Sequence, residues 1–179
     1  KRSAIDLIDS DGNIVIIAPT AVAAINCGGM TINKFFPFDF HWTFAILNAF
    51  KMGDWSALVE YGVLNYTIER IDIIKALDVL IVDEISMVRC DTLDVIDNIL
   101  RYYRKDTNPF GGVQVVLVGD ILQLPPIHKK DDIGYDVIIK KYPKGVAFYN
   151  SNVWFEAWDK KKIKIIELTK IYRQDEQRF

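Results

Sequence analysis

Three short apolar runs punctuate the chain, and each stops at a polar or turn-forming residue: 14–18 before Pro19-Thr20, 79–82 before Asp83-Glu84, and 113–118 before Gly119-Asp120. Their branched aliphatic residues follow one another without the alternation of a half-wet strand. That pattern predicts buried parallel strands in a sheet covered on both faces. Ile163 to Leu168, ending at Thr169, is a fourth strand candidate. Elsewhere the period changes. From Asp91 to Lys105, Leu93, Ile96, Leu100 and Tyr103 recur at helical spacing, with Asp91, Asp94 and Asp97 ahead of Arg101, Arg104 and Lys105, as the helix dipole favours at its two ends. Strands alternating with helices predict an α/β fold. The stretch 37–67, carrying Phe38, Phe40, Trp42, Phe44, Phe50 and Trp55, has no clear period and reads as a helical or irregular insertion. A second irregular region, 128–150, is rich in Lys, Asp and Gly.

Composition narrows the classes. The 179 residues hold 22 basic and 24 acidic side chains, a net charge of −2, and half of them are hydrophobic. One domain with a sizeable core is expected, and intrinsic disorder is excluded. With so balanced a charge, nucleic acid would be held in a local groove and not by a polybasic surface. Cys27 and Cys90 lack metal or disulfide spacing and read as reduced thiols. No apolar run approaches the ~20 residues of a membrane span, and no signal-peptide core opens the chain. The reading is an intracellular, cytoplasmic protein, nucleoid-associated if prokaryotic, without a membrane partner.

In α/β folds ligands bind beyond the carboxyl ends of the strands, so the polar residues that end the apolar runs are the candidate chemistry. A strand ending in Asp83-Glu84 presents one carboxylate suited to Mg²⁺ on a nucleotide's phosphates and a second suited to orienting or deprotonating water; a solvated strand end is the plain alternative. After the third run, Gly119 permits a turn, Gln123 offers a neutral donor and acceptor for a γ-phosphate or its attacking water, and Pro125-Pro126 stiffen the exit. Ala18-Pro19-Thr20, followed by Ala21 to Ala24 and Gly28-Gly29, opens a helix with small residues. Such an opening lets amides approach a phosphate, or serves tight packing alone. Arg173, in Leu168 to Gln174, has a guanidinium suited to transition-state charge on a γ-phosphate, and an ordinary surface arginine is its alternative. The aromatic cluster that includes Phe35 and Phe36 reads either as a base-stacking platform or as core.

The strings APTAVAA, GG followed by TINKFF, DEISMV, GDILQLPP and LTKIYRQ, in this order, resemble the first RecA-like domain of the petite integration frequency (Pif) helicases, a RecD-like branch of superfamily 1 DNA helicases. The resemblance runs from Ile14 to Arg173; DEISMV and GDILQLPP carry it most specifically, and 37–67 matches least well. It implies a RecA-like P-loop NTPase core, mostly parallel sheet with helices on both faces. It also implies that Asp83 coordinates Mg²⁺, that Glu84 activates the hydrolytic water, that Gln123 senses the γ-phosphate of ATP and that Arg173 is the arginine finger. Pro19 and Thr20 then lie on the single-stranded DNA track. Ala21 and Asn33 depart from the family's usual Gly and His.

No GxxxxGK[ST] phosphate loop occurs in the sequence. The resemblance places that loop and its strand just upstream of a helix whose end matches Lys1 to Ser10. Residues 1–179 are therefore expected to be a partial first RecA-like ATPase domain that lacks the P-loop strand and works with a second RecA-like domain of the same parent chain. The implied function is an ATP-dependent DNA helicase that moves on single-stranded DNA and unwinds duplex junctions, these residues alone being inactive. The rivals are a degenerate, non-catalytic module that binds single strands or a partner protein, and a RecD-type nuclease subunit.

Overall fold

A computed structural model describes residues 13–169. Its centre is a four-stranded parallel sheet of β1 (Ile14–Ala18), β2 (Met30–Thr31), β3 (Val79–Val82) and β4 (Gln114–Leu117), in the order β2-β1-β3-β4. The central strand β3, Val-Leu-Ile-Val, is buried along its whole length, as expected of a run without alternation. α1 (Ala21–Cys27) leads from β1 to β2, where Gly29 passes so close to Ile16 that a Cβ would collide with its carbonyl oxygen. The helices α2 (Ile32–Phe35), α3 (Thr43–Met52), α4 (Trp55–Glu60) and α5 (Ile68–Ala76) then fill the interval before β3. Thr20, Thr31, Asp54 and Thr67 cap the amino ends of α1, α2, α4 and α5, each side chain accepting a bond from a first-turn amide.

The stretch 37–67 is helical, and it is not a separate subdomain. Phe38, Ile46, Leu47 and Leu58 belong to the same apolar core as Ile17, Leu80 and Val82 of the sheet. Phe35 and Phe36 belong to it as well, 2% and 0% exposed and packed edge to face at 4.7 Å. Base stacking is not open to them in this arrangement, and core packing is the reading that holds.

α6 (Cys90–Arg104) confirms the helix expected over 91–105, but its acidic residues are not a solvated face. Asp91, Asp94 and Asp97 are 0%, 2% and 5% exposed. Each is saturated with donors. Asp91 is bonded by the Arg89 guanidinium and the Thr43 hydroxyl. Asp94 accepts from the Tyr142 hydroxyl at 2.7 Å, the Asn152 amide at 3.0 Å, the Asn152 side chain at 2.6 Å and the Val153 amide at 2.9 Å. Asp97 takes the Arg101 Nε at 2.8 Å and the Phe110 amide at 2.6 Å. These bonds fasten α6 to α3, to α7 (Tyr135–Lys141), to α8 (Asn152–Asp159) and to the turn before β4.

The fourth strand expected at 163–168 is absent. Ile165, Ile166 and Leu168 are 70%, 57% and 82% exposed, and β4 pairs with β3 alone among the described residues. Without a neighbouring strand to share its amides and carbonyls, even a β-prone aliphatic run forms no ladder.

Candidate functional site

The register of the sheet brings the candidate residues to one level. Ile17 pairs with Val82, and Val82 with Leu117. Ala18-Pro19-Thr20, Asp83-Glu84 and Val118-Gly119-Asp120 therefore leave the sheet together along its carboxyl edge. The ladder continues a step beyond the strands, because the Asp83 amide donates to the Ile17 carbonyl, the Val118 amide to the Val82 carbonyl, and the Ile85 amide back to the Val118 carbonyl, each at 2.9 Å. These bonds fix the backbone on both sides of Glu84.

At Glu84 the chain adopts a left-handed conformation, φ 51° and ψ 44°, which opens the short turn Ile85–Met87. A side chain other than Gly or Asn is uncommon there, at a cost of order 1 kcal/mol. Asp83 and Glu84 are both half-buried. Gly119 faces this turn, where a Cβ would lie 3.0 Å from the Ile85 amide nitrogen and 3.1 Å from its Cγ2. Glycine thus lets the two loops close on each other.

Asp120 shapes the next loop. Its carboxylate accepts the Leu122 amide at 2.9 Å, its carbonyl accepts the Gln123 amide at 3.1 Å, and Gln123 Nε2 reaches the same carboxylate at 3.3 Å. The amide side chain is thereby turned toward its neighbours. On the third loop, the Thr20 hydroxyl accepts the Ala23 amide at 3.2 Å and starts α1.

An open cleft of about 200 Å³ lies where these loops meet, lined by Thr20, Val22, Ala23 and Asn26 from one side and by Glu84, Ser86, Met87, Gln123 and Leu124 from the other. Three of the expected site residues, Thr20, Glu84 and Gln123, thus share one cleft. Pro19 and Asp83 are their immediate chain neighbours, and Arg173 lies outside the described residues. Asn26, Ser86 and Asp120 were not singled out by sequence reasoning, although Ser86 and Asp120 sit within the DEISMV and GDILQLPP strings. Among the described residues, no group of three or more His, Cys, Asp or Glu is placed to hold a metal ion.

The model of the PIF1-like helicase family matches residues 2–179. The chain belongs to the PIF1-like helicase family. It is 33% identical over 178 residues to the ATP-dependent DNA helicase RRM3 of Saccharomyces cerevisiae, covering 93% of this chain and 20% of that protein. To the human ATP-dependent DNA helicase PIF1 it is 35% identical over 100 residues, 56% of this chain and 13% of that protein. A Pif1 helicase from Bacteroides in complex with ADP-AlF3 and ssDNA superimposes with a TM-score of 0.63 at 32% identity, over 82% of this chain and 31% of the other. The chain thus spans about a fifth of the yeast relative's length and about a third of the solved neighbour's. Within this PIF1-like fold, the DEISMV and GDILQLPP strings are the two loops that close on each other at Gly119.

No helix of the described residues is long and apolar enough to cross a membrane.

Proposed function

We propose that residues 1–179 form part of the first RecA-like domain of an ATP-dependent DNA helicase, supplying the hydrolytic carboxylate and the γ-phosphate sensor. The observation that carries this reading is the shared register of β1, β3 and β4, which delivers Thr20, Glu84 and Gln123 to one cleft. On this reading ATP lies over the ends of β3 and β4, and single-stranded DNA crosses Pro19 and Thr20 at the end of β1.

Glu84 accepts the proton of the attacking water, whose oxygen bonds to the γ-phosphorus as the bond to the bridging oxygen of ADP breaks. Its left-handed backbone and the ladder bonds on either side fix the point from which the side chain projects. Gln123, steadied by Asp120, donates to a γ-phosphate oxygen and distinguishes ATP from ADP. Asp83 would hold Mg²⁺, which when bound neutralises charge on the phosphates. Arg173 is assigned the arginine finger. Among the described residues no Lys or Arg lines the cleft, and the sequence carries no phosphate loop. The amide cradle for the phosphates and the second RecA-like domain, needed for stepping along the strand, are assigned to the rest of the parent protein. Duplex junctions are the proposed substrate.

Glu84→Gln in the intact protein tests this. We expect DNA-stimulated ATP turnover to fall by about 10²–10⁴-fold, the range for losing a general base, with nucleotide binding retained. Turnover equal to wild type removes Glu84 from its role. A wild-type protein that binds single strands without hydrolysing ATP favours the non-catalytic module.

A further inference from the structure

Ser86 stands two residues beyond Glu84, on the short turn Ile85–Met87 that the left-handed Glu84 backbone opens. That turn is tied down along its length. The Ile85 amide donates to the Val118 carbonyl at 2.9 Å, the Met87 amide to the Glu84 carbonyl at 3.1 Å and the Val88 amide to the Ile85 carbonyl at 3.0 Å. Gly119 lies against it, where a Cβ would come within 3.4 Å of the Ser86 amide nitrogen. Glu84 and Ser86 therefore project from one fixed piece of backbone, and both line the cleft. Ser86 is 6% exposed, and its hydroxyl has no hydrogen-bond partner among the described residues. Burying a hydroxyl is unfavourable unless something polar meets it, so a group of this kind calls for a partner.

Hydrolysis supplies one. A water that attacks the γ-phosphorus must turn a lone pair toward it, and it does so when acceptors hold both of its hydrogens. Glu84 takes one hydrogen as the base. Gln123, in the role assigned above, turns its amide nitrogen to a γ-phosphate oxygen, and across the cleft the Thr20 hydroxyl already accepts the Ala23 amide. Ser86 offers a neutral acceptor on the same turn as the base. We propose that the Ser86 hydroxyl accepts the second hydrogen of the attacking water and so positions it, an assignment that rests on the ATP-hydrolysing role given to this cleft. The water oxygen bonds to the γ-phosphorus as the bond to the bridging oxygen of ADP breaks; one proton passes to Glu84 and the other stays with the product phosphate. Ser86 neither gains nor loses a proton.

The test is single-turnover hydrolysis of pre-bound ATP by the intact protein on an oligothymidylate, which reads the chemical step apart from binding and product release. Ser86→Ala is expected to slow that step by about threefold to tenfold, the scale of one neutral hydrogen bond. Its affinities for ATP and ADP should match those of wild type, and its melting temperature should equal or exceed that of wild type. Ser86→Cys fills nearly the same space with a weak acceptor and should be as slow as Ser86→Ala. A wild-type rate in Ser86→Ala overturns the proposal. So does a rate that Ser86→Cys restores, which makes the effect one of volume, or a slowing that tracks lost ATP affinity or a lowered melting temperature, which makes it one of binding or folding. A wild-type protein that binds ATP and the strand yet hydrolyses nothing removes the helicase reading, whereas hydrolysis that Glu84→Gln abolishes and Ser86→Ala leaves intact removes Ser86 alone.

Discussion

Two sets of carboxylates flank the turn that follows β3, and the fold treats them in opposite ways. Asp83 and Glu84 stand half-buried at the mouth of a cleft, and Glu84 holds a conformation that costs free energy. A few residues later Asp91, Asp94 and Asp97 are withdrawn from water, and every one is bonded to protein donors. A carboxylate whose oxygens are spent on amides, hydroxyls and guanidinium groups is not free to act on a ligand-bound water or to share a cation with a ligand. It can join elements distant in sequence. The second set therefore builds the frame from which the first is presented, since α6 begins only six residues beyond Glu84.

The contrast is sharpest at Asp94. Its carboxylate receives the first two amides of α8, the positive end of that helix, together with the Tyr142 hydroxyl. Burial and the neighbouring Asp94 carboxylate raise the Tyr142 phenol well above its ordinary range, so it stays a donor. Asp94→Ala strands these donors in the interior and should cost about 3–5 kcal/mol, the scale of breaking a buried charged network. Glu84→Gln should leave the denaturant midpoint within error of wild type. Equal midpoints for the two variants would erase the distinction between the regions.

A second measurement concerns Asp97. Burial pushes its carboxyl up to about 6, against the pull of the Arg101 guanidinium and the Phe110 amide. The folded value lies above the unfolded one, so folding takes up a proton between about pH 4 and pH 6. The associated stability is fully present below pH 4 and is lost as the pH rises through 6, by up to about 3 kcal/mol. Carbon-detected titration of the Asp97 carboxyl should show a midpoint near 6, and Asp97→Asn should remove this part of the pH dependence. A midpoint in the ordinary carboxylate range overturns the assignment.

The site was more legible in the sequence than its frame. An aliphatic run that stops at a polar pair signals both a buried strand and the end at which ligands gather, and β1, β3 and β4 lie where that signal puts them. The buried acids gave no such warning. Spaced three apart on a helix, aspartates look the same whether they face water or protein, and their partners Thr43, Tyr142 and Asn152 lie 48, 48 and 58 residues away. The run at 163–168 misled for the converse reason: its residues favour a strand, but strand formation depends on a neighbour that local sequence does not reveal. Phe35 and Phe36 were read two ways because an aromatic cluster serves a core and a stacking platform equally well, and burial decided between them.

The smallest effect probes a residue that, like the buried acids, spends its side chain on a backbone donor and yet, like Glu84, lines the cleft. Thr20 lines the cleft, and its hydroxyl also caps α1 by accepting the Ala23 amide. Thr20→Ala should cost about 1 kcal/mol through loss of the cap, and Thr20→Ser, which keeps the hydroxyl, should restore it. If the methyl of Thr20 also meets the bound strand, Thr20→Ser will recover the melting temperature of the intact protein without recovering its affinity for single-stranded DNA. Recovery of both together would assign Thr20 to the frame alone and leave Pro19 as the strand contact at the end of β1. A separation of the two would show that one side chain both starts a helix and touches the ligand, which is the point where the paired and the unpaired chemistry of this fold meet.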